Sequence, residues 1–150
     1  MAKQDAVSTF IERLGLAAET EGLPRIAGRM LAFLLVEGRA CRFDQLAEKL
    51  KVSRGSVSTN TRLLESFGYI RRVTIPGDRR DYFQINEDLG SRILEAAMTR
   101  LRRMQTIILE TLPGIDKPTR KRLQNFADFY DFILPKAEST LRDWKNQKLK

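Results

Sequence analysis

The chain has 150 residues, a length for one domain or a binding core with helical arms, and its 42% hydrophobic content is enough to pack a core. Its 27 Lys and Arg outnumber its 19 Asp and Glu, and the net charge of +8 points to a polyanionic partner, nucleic acid before an anionic membrane. There is no histidine and a single cysteine, Cys41. This excludes an internal disulfide, the common zinc ligand sets and every Ser-His or Cys-His nucleophile pair, so neither enzyme activity nor a metal or cofactor is expected.

In chain order, Val7, Phe10, Ile11 and Leu14 fall at helical spacing, which predicts an amphipathic helix over 3–17. Pro24 opens a second helix whose stripe is Ile26, Met30, Phe33 and Leu34, and Gly38 stops it. Ala40-Cys41-Arg42 reads as a short extended segment. Phe43 to Leu50 forms a short helix, with Asp44 as its cap and Leu46, Ala47 and Leu50 inward. Lys51-Val52 is a turn, and Ser53 caps the next helix, which runs to Phe67 with Gly68 just beyond. Tyr69 to Ile75 reads as a strand, Pro76-Gly77-Asp78 as a turn and Asp81 to Asn86 as the returning strand, so 69–86 is a hairpin. From residue 91, Leu94, Ala97, Leu101, Met104 and Ile108 repeat at intervals of three and four, close to a coiled-coil seam. Pro113-Gly114 ends that helix. Another is expected from Pro118 to Leu134, with Leu123, Phe126, Tyr130 and Ile133 on its stripe. Pro135 should break or kink it before a last short piece carrying Ala137, Leu141 and Trp144, and the tail 145–150 should fray.

The positive charge is concentrated. Residues 1–38 are net −1 and residues 81–150 net +3, whereas 39–80 carry ten basic and four acidic residues, net +6. That segment reads as the contact module and its flanks as scaffold. Short helix, tight turn, capped helix and basic hairpin in this order make a winged helix-turn-helix, so the fold class is mainly α with a small β-hairpin wing. On the second helix of the motif Val57, Asn60, Leu64 and Phe67 face inward, and Arg54, Gly55, Ser58, Thr59 and Arg62 face outward. Gly55 and Ser58 are small enough for close approach to a groove floor, and Ser56, Ser58 and Thr59 supply hydroxyls. Arg54 sits in the first turn, where a recognition helix meets base edges, and Arg62 suits a phosphate. The hairpin adds Arg71, Arg72, Arg79 and Arg80, with Asp78 holding an arginine or capping the turn.

At these residues the sequence resembles the MarR superfamily of winged-helix regulators, and within it the GbsR-like branch. The resemblance runs from Gly22 to Asn86. It is carried by Gly22-Leu23-Pro24-Arg25 with Gly28-Arg29, Leu46-Ala47-Glu48-Lys49-Leu50, Ser53-Arg54-Gly55-Ser56-Val57-Ser58 with Arg62-Leu63-Leu64, Gly68-Tyr69-Ile70, and Gly77-Asp78-Arg79-Arg80-Asp81-Tyr82. It implies a homodimer built from N- and C-terminal helices, reading double-stranded DNA by helix and wing. The expected organisation is therefore a dimerisation helix at 1–21, a DNA-binding domain at 22–88 and a helical dimerisation region at 89–150. The resemblance further implies a small-molecule effector, and its GbsR branch includes regulators of choline and glycine-betaine metabolism. Phe126, Phe129, Tyr130, Phe132 and Trp144 are candidates for a cation cage, although an aromatic stripe is more often core or interface. Cys41, flanked by Arg39 and Arg42, is a bystander before it is a redox sensor.

The expected function is a sequence-specific DNA-binding transcriptional regulator. The alternative is a winged-helix protein-interaction module, which would not need a basic recognition helix. A membrane role lacks its basic amphipathic helix, no apolar run approaches the ~20 residues of a span, and the N-terminus lacks an apolar signal segment. A soluble cytoplasmic protein is expected.

Overall fold

A computed structural model describes residues 2–148, and the chain divides into two compact units, Met1–Leu89 and Gly90–Lys150. The first unit opens with α1 (Ala2–Thr20) and α2 (Arg25–Glu37). These helices cross closely because Gly28 has no side chain: a Cβ there would lie 2.4 Å from Ala18 Cβ and 2.9 Å from the Leu14 carbonyl. The crossing is clasped by Glu12, which accepts from Arg25 at 2.9 Å and from Arg29 at 2.8 Å. Arg29 Nη2 also donates to the Leu50 carbonyl at 3.0 Å, joining α2 to the end of the next helix. Gly38 ends α2 with φ 63°, a left-handed conformation that a side chain disfavours.

After β1 (Cys41–Arg42) the chain forms α3 (Phe43–Leu50) and α4 (Arg54–Ser66). Asp44 does not stand at the N-cap of α3. It accepts from the Gln45 N–H inside the first turn, while the Gln45 side chain reaches back to the Arg42 N–H at 2.9 Å. Lys51, at φ 53°, makes the tight turn. Ser53 then caps α4, its Oγ accepting from the Ser56 N–H at 3.1 Å. Leu46, Leu50, Val57 and Leu64 are fully buried with Met30 and Leu34 of α2. Phe67 is only half-buried, beside the Tyr69 ring, and Thr61 takes the inward place, its hydroxyl donating to the Val57 carbonyl.

β2 (Ile70–Ile75) and β3 (Asp78–Ile85) form the hairpin, and β3 also pairs antiparallel with β1, giving the order β1-β3-β2. Ile75 pairs with Asp78, so the connection is only Pro76-Gly77, with Gly77 at φ 81°. The returning strand therefore begins at Asp78, three residues before its expected start, and Arg79 and Arg80 belong to it. Register places Arg72 opposite Phe83 and Arg71 opposite Gln84, so the two arginines point to opposite faces.

The second unit contains α5 (Leu89–Thr111), a single 3-10 turn at Leu112–Gly114 and α6 (Lys117–Lys148). α6 runs through Pro135, so of the two expectations, a break or a kink, the break does not occur, and Ala137, Leu141 and Trp144 continue the same helix. Residues 145–148 are helical and not frayed, and 149–150 lie outside the described residues. The core of this unit is Met98, Ile108, Ala127, Tyr130 and Leu134, with Leu94, Leu101, Leu123, Ala137 and Leu141 against it. The buried row of α6 thus passes through Ala127 and Leu134. Phe126, expected on it, is 48% exposed, and Met104 of the expected α5 seam is exposed as well. No described helix is long and apolar enough to cross a membrane.

Candidate nucleic-acid interface

α4 presents an outward face with no packing task. Arg54, Gly55, Thr59 and Arg62 are exposed and Ser58 is half-exposed. Gly is a weaker helix former than Ala because it loses more backbone freedom on folding. At Gly55 no internal contact explains its use, because a Cβ there would meet only Ser53 Oγ, at 3.8 Å. The absent side chain leaves room outside the molecule. Arg62 donates to Ser58 Oγ at 2.9 Å, one helical turn away, which lays its guanidinium along this face. Ser56 is turned toward the cap, where its Oγ lies 3.0 Å from Ser53 Oγ.

The wing's arginines fall into distinct environments. Arg79 is exposed and has no carboxylate partner among the described residues. Arg80 is clasped by Asp78, which also accepts from the Arg80 N–H at 2.9 Å and from Tyr82 Oη at 2.8 Å. The Arg80 guanidinium, with these donors, holds the Asp78 carboxyl well below the usual carboxylate range. Asp78 therefore both holds an arginine and ties down the strand start. Arg72 lies over the Phe83 ring and pairs with Glu65 at 3.4 Å and Asp81 at 3.3 Å, which straps β2 to the end of α4. Arg71 pairs with Glu87 on the other face. The arginine side of each pair is half or more exposed, so solvent screens the attraction and a phosphate can compete for the guanidinium.

Two elements converge at a cleft of about 390 Å³ lined by Phe43, Asp44, Arg54, Arg79, Arg80 and Asp81. The first turn of α4 and the start of β3 thus present their cations on one side. Sequence reasoning missed Phe43, whose ring lies 4.9 Å from the Arg54 guanidinium carbon. No local spacing could have revealed it, since α3 and α4 meet only through the tertiary fold.

Cys41 and the aromatic residues of α6 lie in other surroundings. Cys41 is 1% exposed, and burial pushes its thiol above the usual range, with Glu37 adding to the rise and Arg39 opposing it. The flanking Arg39 does not outweigh that burial, so the thiol is not activated. Phe126 and Phe129 flank the buried Tyr130, with centroids at 5.2 and 5.5 Å, but Phe129 and Phe132 are 50% and 63% exposed. Phe132 and Trp144 instead carry Lys136 and Lys148 against their rings. These rings form an open row and not an enclosed cage.

Comparison with known proteins agrees with the fold. The profile of the MarR family matches residues 21–81. The HTH-type transcriptional regulator MmpR5 of Mycobacterium tuberculosis (strain ATCC 25618 / H37Rv) is 32% identical over 137 residues, 89% of this chain and 83% of that protein. A crystal structure of a transcriptional regulator superposes with a TM-score of 0.81 at 29% identity, over 94% of this chain and 99% of the other. The ST1889 protein of Sulfolobus tokodaii shares the fold at 16% identity and a TM-score of 0.50, over 62% of this chain and 96% of that one.

Proposed function

The chain belongs to the MarR family of winged-helix transcriptional regulators, which bind DNA and are not enzymes, and from that premise we propose that it acts as a cytoplasmic, ligand-responsive homodimer that recognises a specific operator. The observation that carries this reading is the shared cleft, which Arg54 of α4 and Arg79 of β3 both line. In this reading α4 enters the major groove. Arg54 and Gly55 lie at its floor, Ser58 and Thr59 meet bases or phosphates, Ser56 contributes through the cap, and Arg62 clamps the backbone. Arg79 reaches a neighbouring groove, and Arg72 and Arg80 reach phosphate by exchanging a carboxylate for it. Residues 22–88 carry this function, and 1–21 and 89–150 dimerise. Support for dimerisation is the apolar surface left open on each: Phe10 and Leu16 on α1, and Ile107, Leu109, Phe126, Phe129 and Phe132 on α5 and α6.

The GbsR-like assignment rests on the motifs between Gly22 and Tyr82, and the matching effector class is a quaternary amine held by aromatic residues of the assembled dimer. One experiment tests both levels. Duplexes are selected from a random pool by the wild type and by Arg54→Ala, with and without excess choline or glycine betaine. The wild type should yield a two-fold symmetric motif, and Arg54→Ala should relax particular positions in it, each good arginine–guanine contact being worth ~1–3 kcal/mol. The amine should change the retained fraction. Identical motifs for the two proteins would reject the helix assignment, and retention indifferent to both amines would reject the effector class.

A further inference from the structure

We propose that Phe43 is a positioning residue for DNA recognition, holding Arg54 ready to read a base; this rests on the role given to Arg54 above. Phe43 is the first residue of α3, fixed there by the Gln45–Arg42 bond that closes the helix start. It is half-buried and packs against Phe83 of β3, with ring centroids 6.5 Å apart. Phe83 is 1% exposed, so Phe43 packs on a ring that belongs to the core. On the exposed side Phe43 takes Arg54 at 4.9 Å, and Phe83 takes Arg72 of the wing at 5.3 Å. Two rings therefore join the arginine of α4 to an arginine of β2.

The chemistry suits a reading head. A free arginine must give up side-chain rotamer freedom when it binds. A guanidinium resting on an aromatic ring has lost part of that freedom beforehand, which favours the contact it then makes. The interaction uses the cation's charge against the ring quadrupole and takes no N–H donor. The planar fork that matches guanine O6 and N7 stays available. Arg54 also has no carboxylate partner among the described residues, so the ring is what holds it at the cleft. Phe43 thus acts on sequence preference through Arg54 and not on general affinity.

The test is duplex selection with intact protein carrying Phe43→Leu, Phe43→Tyr, Phe43→pentafluorophenylalanine, Arg54→Ala, or Phe43→Leu with Arg54→Ala. Thermal melting of each accompanies it. Phe43→Leu should lose about two- to fivefold discrimination at the positions that Arg54→Ala relaxes, the scale of an exposed cation–π contact. Binding to unrelated duplexes should stay within about twofold. Phe43→Tyr should restore the wild-type motif, and the double variant should match Arg54→Ala alone. The fluorinated ring keeps shape and burial but reverses the quadrupole, so it should behave like Phe43→Leu even if the leucine variant melts early. A wild-type motif from the fluorinated protein, with Arg54→Ala still relaxed, would reduce Phe43 to packing and overturn the proposal. An unchanged motif from Arg54→Ala would instead overturn the reading on which it rests.

Discussion

Arg79 and Arg80 are adjacent in sequence and differ in what they have to give. Arg80 is held by Asp78, and the same carboxylate binds Tyr82, so Arg80 must release that partner before it meets a phosphate. Arg79 keeps its charge at the rim of the cleft. Replacing Arg79 with Ala should therefore weaken binding to all duplexes alike and lower the slope of log affinity against log salt by about 1 for each protomer on the duplex, whereas Arg80→Ala should change it less. A titration series in increasing salt checks this, and equal slopes for the two variants would contradict it. The sequence displayed both arginines and even the holding role of Asp78. It could not say which arginine Asp78 would hold, because that choice depends on the two-residue turn that makes Asp78 the first residue of β3.

At the scale of elements, α1 and α2 form a clasped pair whose stability should depend on pH. Glu12 sits below the usual carboxylate range, first because Arg25 donates to it and then because Arg29 lies beside it, burial opposing both. A carboxyl depressed in the folded state is stabilising at every pH above its unfolded value, about 4.3, and loses that contribution as the pH falls through its folded value. Denaturation midpoints of the wild type should thus fall on acidification over that window, and Glu12→Gln should be less stable at neutral pH with a shallower acid decline. Parallel pH profiles for the two proteins would rule out the clasp. The helices themselves were legible because their signals are local: Ser53 as a cap, Gly38 and Gly68 as stops, apolar residues at intervals of three and four. Two errors in α6 share a physical cause. Proline removes one backbone donor, but Leu134, Ala137 and Leu141 pack on both sides of Pro135 and hold the helix together. Two apolar rows compete on that helix, and only its packing partner decides that Ala127 and Leu134 go inside and Phe126 stays out.

At the scale of the whole molecule, the net charge of +8 points to a polyanionic partner, and its concentration in residues 39–80 marks the contact module on the sequence itself. What the sequence could not display was convergence. Arg54 and Arg79 belong to different elements, and the fold alone lines one cleft with both. The exposed aromatic row of α6 was likewise hidden within a pattern that reads as core. A dimer presenting two such clefts should protect two half-sites on one selected duplex. Hydroxyl-radical footprinting of the wild type on that duplex tests this most directly. Two symmetric zones of protection are expected about one helical turn, ~10 bp, apart, both fading together as salt rises. A single asymmetric zone, or protection indifferent to salt, would contradict that expectation.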